Sequence, residues 1–310
     1  MEGDKYLKEN VALLFLIIPT ILVIIGLLFF PYPISEEVRA LLLIPLFSSL
    51  ILLVMGFFLK REEIGNKLKI LGWIIFAFYW STQPNSLYFG VEQDFVNAFL
   101  CIAGVYVLFY VAYHEWLSLR RREHIGCLNW VAGAAAIAGF IYFGIELTPL
   151  QPWLIETVAA QSGWLLNLFI GNVEVYEVNI YYEGQFAVSI IFACTAVQSM
   201  VLFVGMILPL PKVDMKRKFY GLLVTVIPIY FLNLVRNALI AYLVKNDPDF
   251  IFIAHNIIGK GGSLIALVIL LFIVIRIVPE LFDEIICLTD LYKRNGPVEK
   301  FVKKYVWRKK

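Results

Sequence analysis

Ile229-Tyr230-Phe231-Leu232-Asn233-Leu234-Val235-Arg236-Asn237-Ala238-Leu239-Ile240-Ala241-Tyr242-Leu243-Val244 is the second half of an apolar run that begins at Phe219. A helix needs roughly 20 residues to cross the hydrocarbon of a bilayer, and this run is long enough. It carries one guanidinium, which costs about 3 kcal/mol or more to hold near the middle of a membrane helix. The length makes the run a membrane span, and the charge inside it marks a functional group or a buried partner for one.

Similar runs recur on both sides: Val11 to Phe30, Arg39 to Leu59, Lys69 to Trp80 with an extension toward Leu87, Phe95 to Leu117, Ile125 to Ile145, Ala187 to Leu210 and Ile257 to Val278. The 310-residue chain is 61% hydrophobic and 16% charged, with a mean hydropathy of +0.80. A soluble domain is about half apolar and about a quarter charged, so that class is excluded. The expected fold is all-α, a polytopic integral membrane protein of about eight transmembrane helices. A net charge of +2, with its basic residues scattered between apolar runs, excludes a nucleic-acid partner. There is no internal repeat. The first run is expected to be retained, because it is longer than a signal-peptide core and Pro31-Tyr32-Pro33 is no small-residue cleavage site.

The basic clusters give the orientation, since Lys and Arg collect in cytoplasmic loops. With the N terminus inside, all of the 26 basic residues fall to the inner side except Arg39, Arg236, Lys245 and Lys260. N and C termini are therefore expected in the cytoplasm. Trp73, Trp80, Trp116 and Trp130 lie near span ends, as an interfacial belt requires.

Residues 146–186 do not fit a span. Gln151 to Gly171 is apolar but broken by Glu156, Gln161, Ser162, Gly163 and Asn167, and a further crossing here would put the basic loop Lys212 to Lys218 outside. We read it as an amphipathic or re-entrant helix on the outer leaflet. Val173 to Tyr181 alternates apolar and polar residues, which predicts a hairpin or extended segment with a turn at Glu183-Gly184. The expected organisation is a transmembrane domain over 1–278, with a catalytic core at 186–275 and an extracytoplasmic insertion at 146–186, and then a cytoplasmic tail over 279–310. In that tail Val298, Phe301, Val302, Tyr305 and Val306 share one face amid Lys300, Lys303, Lys304 and Arg308. This predicts a basic amphipathic helix resting on the anionic inner leaflet.

The chemistry gathers on the last three runs. Arg236 lies about 12 Å, at 1.5 Å per residue, from the outer end of its helix, and Asn233 shares a face with both Arg236 and Asn237. Ala187 to Leu210 carries Cys194, Thr195 and Gln198 at similar depth, and the last run opens with His255-Asn256 before Gly259, Gly261 and Gly262, small residues that allow close helix approach. Cys101 is mid-span and Cys127 and Cys287 are inner, so Cys194 is the outer cysteine; His114 and His124 are inner and His255 is outer. A thiol is a weak nucleophile until a cation or base favours the thiolate. Arg236 can stabilise that thiolate or a developing oxyanion, and His255 can move the proton. Inert packing of the thiol and a buried structural role for Arg236 stay open on the residues alone.

At these positions the chain resembles the exosortase and archaeosortase family of membrane cysteine transpeptidases, most closely its archaeosortase branch. The likeness rests on Ala193-Cys194-Thr195-Ala196-Val197-Gln198-Ser199-Met200, on Asn233-Leu234-Val235-Arg236-Asn237 and on His255, and covers roughly Phe186 to Ile275. The resemblance implies Cys194, Arg236 and His255 as catalytic residues, with Thr195, Gln198, Asn233, Asn237 and Asn256 contacting substrate or supporting them. Ala196 departs from the family's usual Gly. The implied activity is cleavage near the outer face of a C-terminal sorting signal, built of a short motif, a hydrophobic helix and a basic cluster. The implied partners are surface proteins such as S-layer glycoprotein and a membrane lipid acceptor, with no cofactor and no metal. The rival from the residues is a transporter or channel with Arg236 lining an anion path. It lacks inverted halves with matching breaks and acidic residues deep in the spans. No paired aspartates of the metal-diphosphate kind lie within the spans, and Gly-x-Ser-x-Gly, Gly-x-Gly-Asp, zinc spacings and phosphate loops are absent from the sequence.

Overall fold

The computed structural model describes residues 2–59, 61–90, 94–245, 250, 253 and 258–305. The chain is predominantly helical, and five helices are long and apolar enough to cross a membrane: Glu36–Phe58, Phe95–Arg121, Gly126–Glu146, Met215–Val244 and Lys260–Ile277. Two compact units emerge, residues 1–136 with 284–310, and residues 137–283.

The first unit contains α1 (Glu2–Phe29), α2 (Glu36–Phe58), α3 (Glu62–Ser81), α4 (Pro84–Phe89), α5 (Phe95–Arg121) and the start of α6 (Gly126–Glu146). The expected extension of the third run to Leu87 is interrupted. α3 stops at Ser81 and Pro84, which has no N–H to give, opens α4 instead. Lys69 of α3 and Glu115 of α5 form a buried ion pair at 2.9 Å. Trp73 and Trp130 are buried in protein rather than placed in an interfacial belt.

The tail also belongs to this unit. A 3₁₀ turn, Asp290–Arg294, leads into α12 (Pro297–Tyr305). Val298 and Phe301, expected against lipid, pack on Tyr113 and Leu117 of α5 and on Phe15 of α1. An amphipathic pattern records that one face is covered, and here protein covers it. Gly296 brings the backbone against α5 so closely that a Cβ would stand 2.0 Å from the Tyr113 hydroxyl. Glu299 is buried, accepting hydrogen bonds from Tyr110 (3.0 Å) and Tyr113 (2.9 Å), with His114 Nε2 at 3.2 Å from its Oε1. Arg294 can only donate, so its 3.1 Å bond to His114 Nδ1 makes that nitrogen the acceptor and leaves the ring proton on Nε2, facing Glu299. Burial opposes ionisation of Glu299, but the bonds from His114, its own backbone amide and Tyr113 outweigh it and hold the carboxyl down at about 2. Cys127 and Cys287, which the sequence left unpaired, form a disulfide.

The second unit continues α6 and adds α7 (Leu150–Ile170), strands β1 (Val173–Tyr176), β2 (Asn179–Tyr182) and β3 (Gln185–Ser189), then α8 (Val197–Ile207), α9 (Met215–Val244), α10 (Lys260–Ile277) and the start of α11 (Glu280–Thr289). The strands form one antiparallel sheet in the order β1-β2-β3, with Glu183 and Gly184, both at positive φ, making the expected turn between β2 and β3. The chain is therefore not wholly α, and the sixth run is not one helix. Val188 and Ser189 pair with β2, Ala187 being the extra residue of a register shift, Phe192–Thr195 form a 3₁₀ turn, and α8 begins only at Val197. Continuous hydrophobicity over 187–210 conceals the change, because a buried strand and a buried helix have the same composition.

Gly163, one of the residues that argued against a spanning helix, lets the sheet lie on α7: a Cβ there would meet Val175 at 2.2 Å. At its N-terminal end α9 is capped by Asp214, whose Oδ1 accepts from Lys216 N and Arg217 N, and Arg217 forks onto Glu280 at 2.7 and 2.9 Å. That bond holds the Glu280 carboxyl below its usual range.

Candidate active site

Cys194 sits on the 3₁₀ turn rather than inside a helix, so its position depends on what holds a four-residue element in place. Three kinds of contact do so. Within the turn, Thr195 Oγ1 donates to Phe192 O at 2.7 Å and the Cys194 amide donates to Ile191 O at 2.8 Å. Around it lies an apolar cluster of Val158, Ala159 and Leu166 from α7, Ile180 from β2 and Leu234, Ala238 and Ala241 from α9. From α9, Asn233 Nδ2 and Asn237 Nδ2 both donate to the Cys194 carbonyl, at 2.7 and 2.9 Å.

Ala196 ends the turn in the left-handed region, at φ 61° and ψ 6°. This gives the departure from Gly a physical meaning. The position demands positive φ, which an L side chain occupies at a cost of about 1 kcal/mol. The methyl therefore bears on the backbone conformation.

Arg236 reaches the same place from the next turn of α9. Its Nη1 donates to Asn233 Oδ1 at 3.4 Å, and its guanidinium is within electrostatic reach of Cys194. Its Nε is buried and has no hydrogen-bond partner among the described residues, nor does any described carboxylate pair with it. Arg217 and Arg236 are nineteen residues apart on one helix, about 28 Å at 1.5 Å per residue. The basic cluster and the Cys194 site therefore sit toward opposite ends of α9.

The expected residues meet unequally. Cys194, Asn233, Arg236 and Asn237 come together. Thr195 is buried and bonds to the backbone of its own turn, its hydroxyl also accepting from Val197 N at 3.5 Å, so it shapes the turn. Gln198 is exposed on α8, and its side chain makes no hydrogen bond to another described residue. His255 and Asn256 lie outside the described residues. Gly261 and Gly262 do not mediate close helix approach to any described residue: a Cβ on either would meet nothing within 4 Å. Sequence reasoning missed the part played by α7, which packs on the cysteine turn and whose Gln161 Oε1 accepts a hydrogen bond from the Tyr230 hydroxyl of α9. The buried face of α7, Val158, Ala159, Ser162 and Leu166 at helical spacing, was the available signal. No group of three His, Cys, Asp or Glu side chains among the described residues is arranged to hold a metal ion.

The family model described as transmembrane exosortase matches residues 61–273. The chain belongs to the transmembrane exosortase family. The match starts well before the Phe186 boundary read from the sequence, so the front helices carry family signal as well. Archaeosortase A of Haloferax volcanii is 27% identical over 265 residues, covering 73% of this chain and 85% of that protein. Archaeosortase A of Natronomonas pharaonis is 25% identical over 290 residues, covering 80% and 90% respectively. No solved structure matches this chain. Membership in the exosortase family, together with its apolar helices, makes this an integral membrane protein and sets aside the transporter reading.

Proposed function

We propose that this exosortase-family protein is a membrane cysteine transpeptidase, with Cys194 as nucleophile, Arg236 as the cation beside it and His255 as the proton carrier. The observation that carries the proposal is the double hydrogen bond from Asn233 and Asn237 to the Cys194 carbonyl, with Arg236 attached to Asn233. It joins the backbone of the cysteine turn to the guanidinium of α9.

In the reaction, His255 takes the thiol proton and Sγ attacks the scissile carbonyl. The carbon–nitrogen bond breaks, the leaving amine takes the proton from His255, and a thioester remains. An acceptor nucleophile then attacks the thioester and regenerates the thiol. The Cys194 amide is already committed to Ile191 O, so the oxyanion has to draw its donors from elsewhere, and the Arg236 Nε, buried without a partner among the described residues, can serve as one.

The substrates are surface proteins with a C-terminal sorting signal of short motif, hydrophobic helix and basic cluster, S-layer glycoprotein among them, and the acceptor is a membrane lipid. Both termini are cytoplasmic and the site is near the outer face. The placement of Arg217 and Arg236 about 28 Å apart on one helix supports this, since the hydrocarbon core is about 30 Å thick. The test is expression of Cys194→Ala with a tagged substrate carrying its C-terminal helix. Loss of processing is expected; undiminished processing would refute the cysteine mechanism.

A further inference from the structure

A four-residue 3₁₀ turn ending on a strained left-handed residue is a poor platform for a nucleophile, because short 3₁₀ segments hold themselves weakly. Here both polar backbone groups of Cys194 are fixed from outside its own residue. The N–H goes to Ile191 O, and the carbonyl accepts from two amides that are 6% and 2% exposed. Burying a side-chain amide is unfavourable unless it is hydrogen-bonded, so each Asn is held to this acceptor by the penalty of leaving it. Two donors on one carbonyl oxygen restrict the peptide plane in two directions, which one donor cannot do.

The two asparagines differ in what remains. Asn233 also accepts from Arg236 Nη1 through its Oδ1, whereas no such second bond joins Asn237 to the guanidinium. The i, i+3 and i+4 spacing on α9 places all three on one face.

Resting on the reading of Cys194 as nucleophile, we propose that Asn233 and Asn237 are positioning residues with separable tasks. Together they lock the Cys194–Thr195 peptide, and Asn233 alone ties that lock to the Arg236 guanidinium. Neither contacts substrate. Misplacing reacting groups by about 1 Å lowers rates by about a hundredfold. Asn237→Ala removes half of the lock and leaves Arg236 in place. Asn233→Ala removes the other half and releases Arg236 as well.

The test uses the full-length enzyme in a Cys101→Ala background, with two measurements. One is kcat and KM on a tagged sorting-signal substrate; the other is the pH dependence of Cys194 alkylation by iodoacetamide. Asn237→Ala is expected to lower kcat about tenfold, with KM and the alkylation midpoint unchanged. Asn233→Ala is expected to lower kcat about a hundredfold with KM unchanged and to move the alkylation midpoint upward, because the bond that ties the guanidinium to the cysteine turn is cut. Asn233→Asp keeps the side-chain volume and the acceptor for Arg236 but offers the carbonyl no donor, so its kcat falls at unchanged KM even if the alanine variant fails to fold. A raised KM at normal kcat in either alanine variant would make that residue a substrate contact and overturn the proposal. So would equal midpoint shifts in both variants. Cys194→Ala is assayed alongside. If it processes normally the nucleophile assignment fails; if it is inactive while the Asn variants turn over like the parent, only the positioning proposal fails.

Discussion

Arg294 and Arg236 are both half-buried and meet their surroundings in opposite ways. Arg294, on the tail of the first unit, is saturated on its two terminal nitrogens: His114 Nδ1 at 3.1 Å, His114 O at 3.0 Å, Ser118 Oγ at 3.0 Å and Glu123 Oε2 at 2.8 Å. Arg236, in the second unit, has one 3.4 Å bond to an amide oxygen and no carboxylate among the described residues. Both leave Nε buried without a hydrogen-bond partner among the described residues, so the difference lies in the terminal nitrogens: a guanidinium that serves the fold has its charge and terminal donors used up by the native structure, because leaving them buried and unmet costs several kcal/mol. One that serves chemistry keeps donor capacity for a group that arrives later.

The sharpest way to break this contrast is to give both arginines the same substitution. Arg236→Lys keeps the charge but loses the planar fork, and is expected to lower turnover about a hundred- to a thousandfold, the effect of losing an oxyanion donor, with little change in thermal unfolding in detergent. Arg294→Lys is expected to lower the unfolding temperature while turnover of the folded fraction stays within about threefold, an exposed-substitution-sized effect. Reversed results would exchange the two roles.

Next in size is the tail clasp itself. Glu299→Ala leaves His114 and two tyrosine hydroxyls facing an empty space, and a buried donor left without its acceptor costs about 1–3 kcal/mol. Denaturation in detergent should show that loss, with the kcat of the folded enzyme near the parent's.

A pH titration separates the same residue by sign. The Glu299 carboxyl is held at about 2, below its ordinary 4.5, so its contribution is complete above about 4.5 and is lost as pH falls toward about 2. The parent should destabilise across that window more steeply than Glu299→Gln, measured as unfolding temperature against pH. Parallel curves would show that the carboxylate does not stabilise the tail. The smallest expected effect lies at the cysteine turn. Ala196→Gly relieves a positive φ and should raise stability by up to about 1 kcal/mol, whereas Ala196→Val should lower it.

These regions were unequally legible in the sequence. The α9 stripe was plain, because Asn233, Arg236 and Asn237 are conspicuous in an apolar run and helical spacing places them together. The strand-to-turn-to-helix change at 187–197 was hidden, since Ala187, Val188, Ile190 and Ile191 suit a strand as well as a membrane helix. The tail showed its apolar face at Val298 and Phe301 but not what covers it, which depends on Phe15 and Tyr113, far away in the chain. The pairing of Cys127 with Cys287 spans a separation of 160 residues, and no spacing rule reaches that far. The sequence named the two asparagines that meet at the Cys194 carbonyl but not that contact, because a hydrogen bond to a backbone carbonyl leaves no mark on residue identity.

The central claim is that Cys194 forms the covalent bond to the substrate, and capture of the intermediate tests it most directly. Enzyme incubated with a tagged sorting-signal substrate is quenched in acid, digested and examined by mass spectrometry for an acyl group on the Cys194 peptide. The account predicts a thioester adduct there, released by hydroxylamine as the substrate hydroxamate and absent from Cys194→Ala. Efficient processing with no adduct and an equal rate in Cys194→Ala would contradict it.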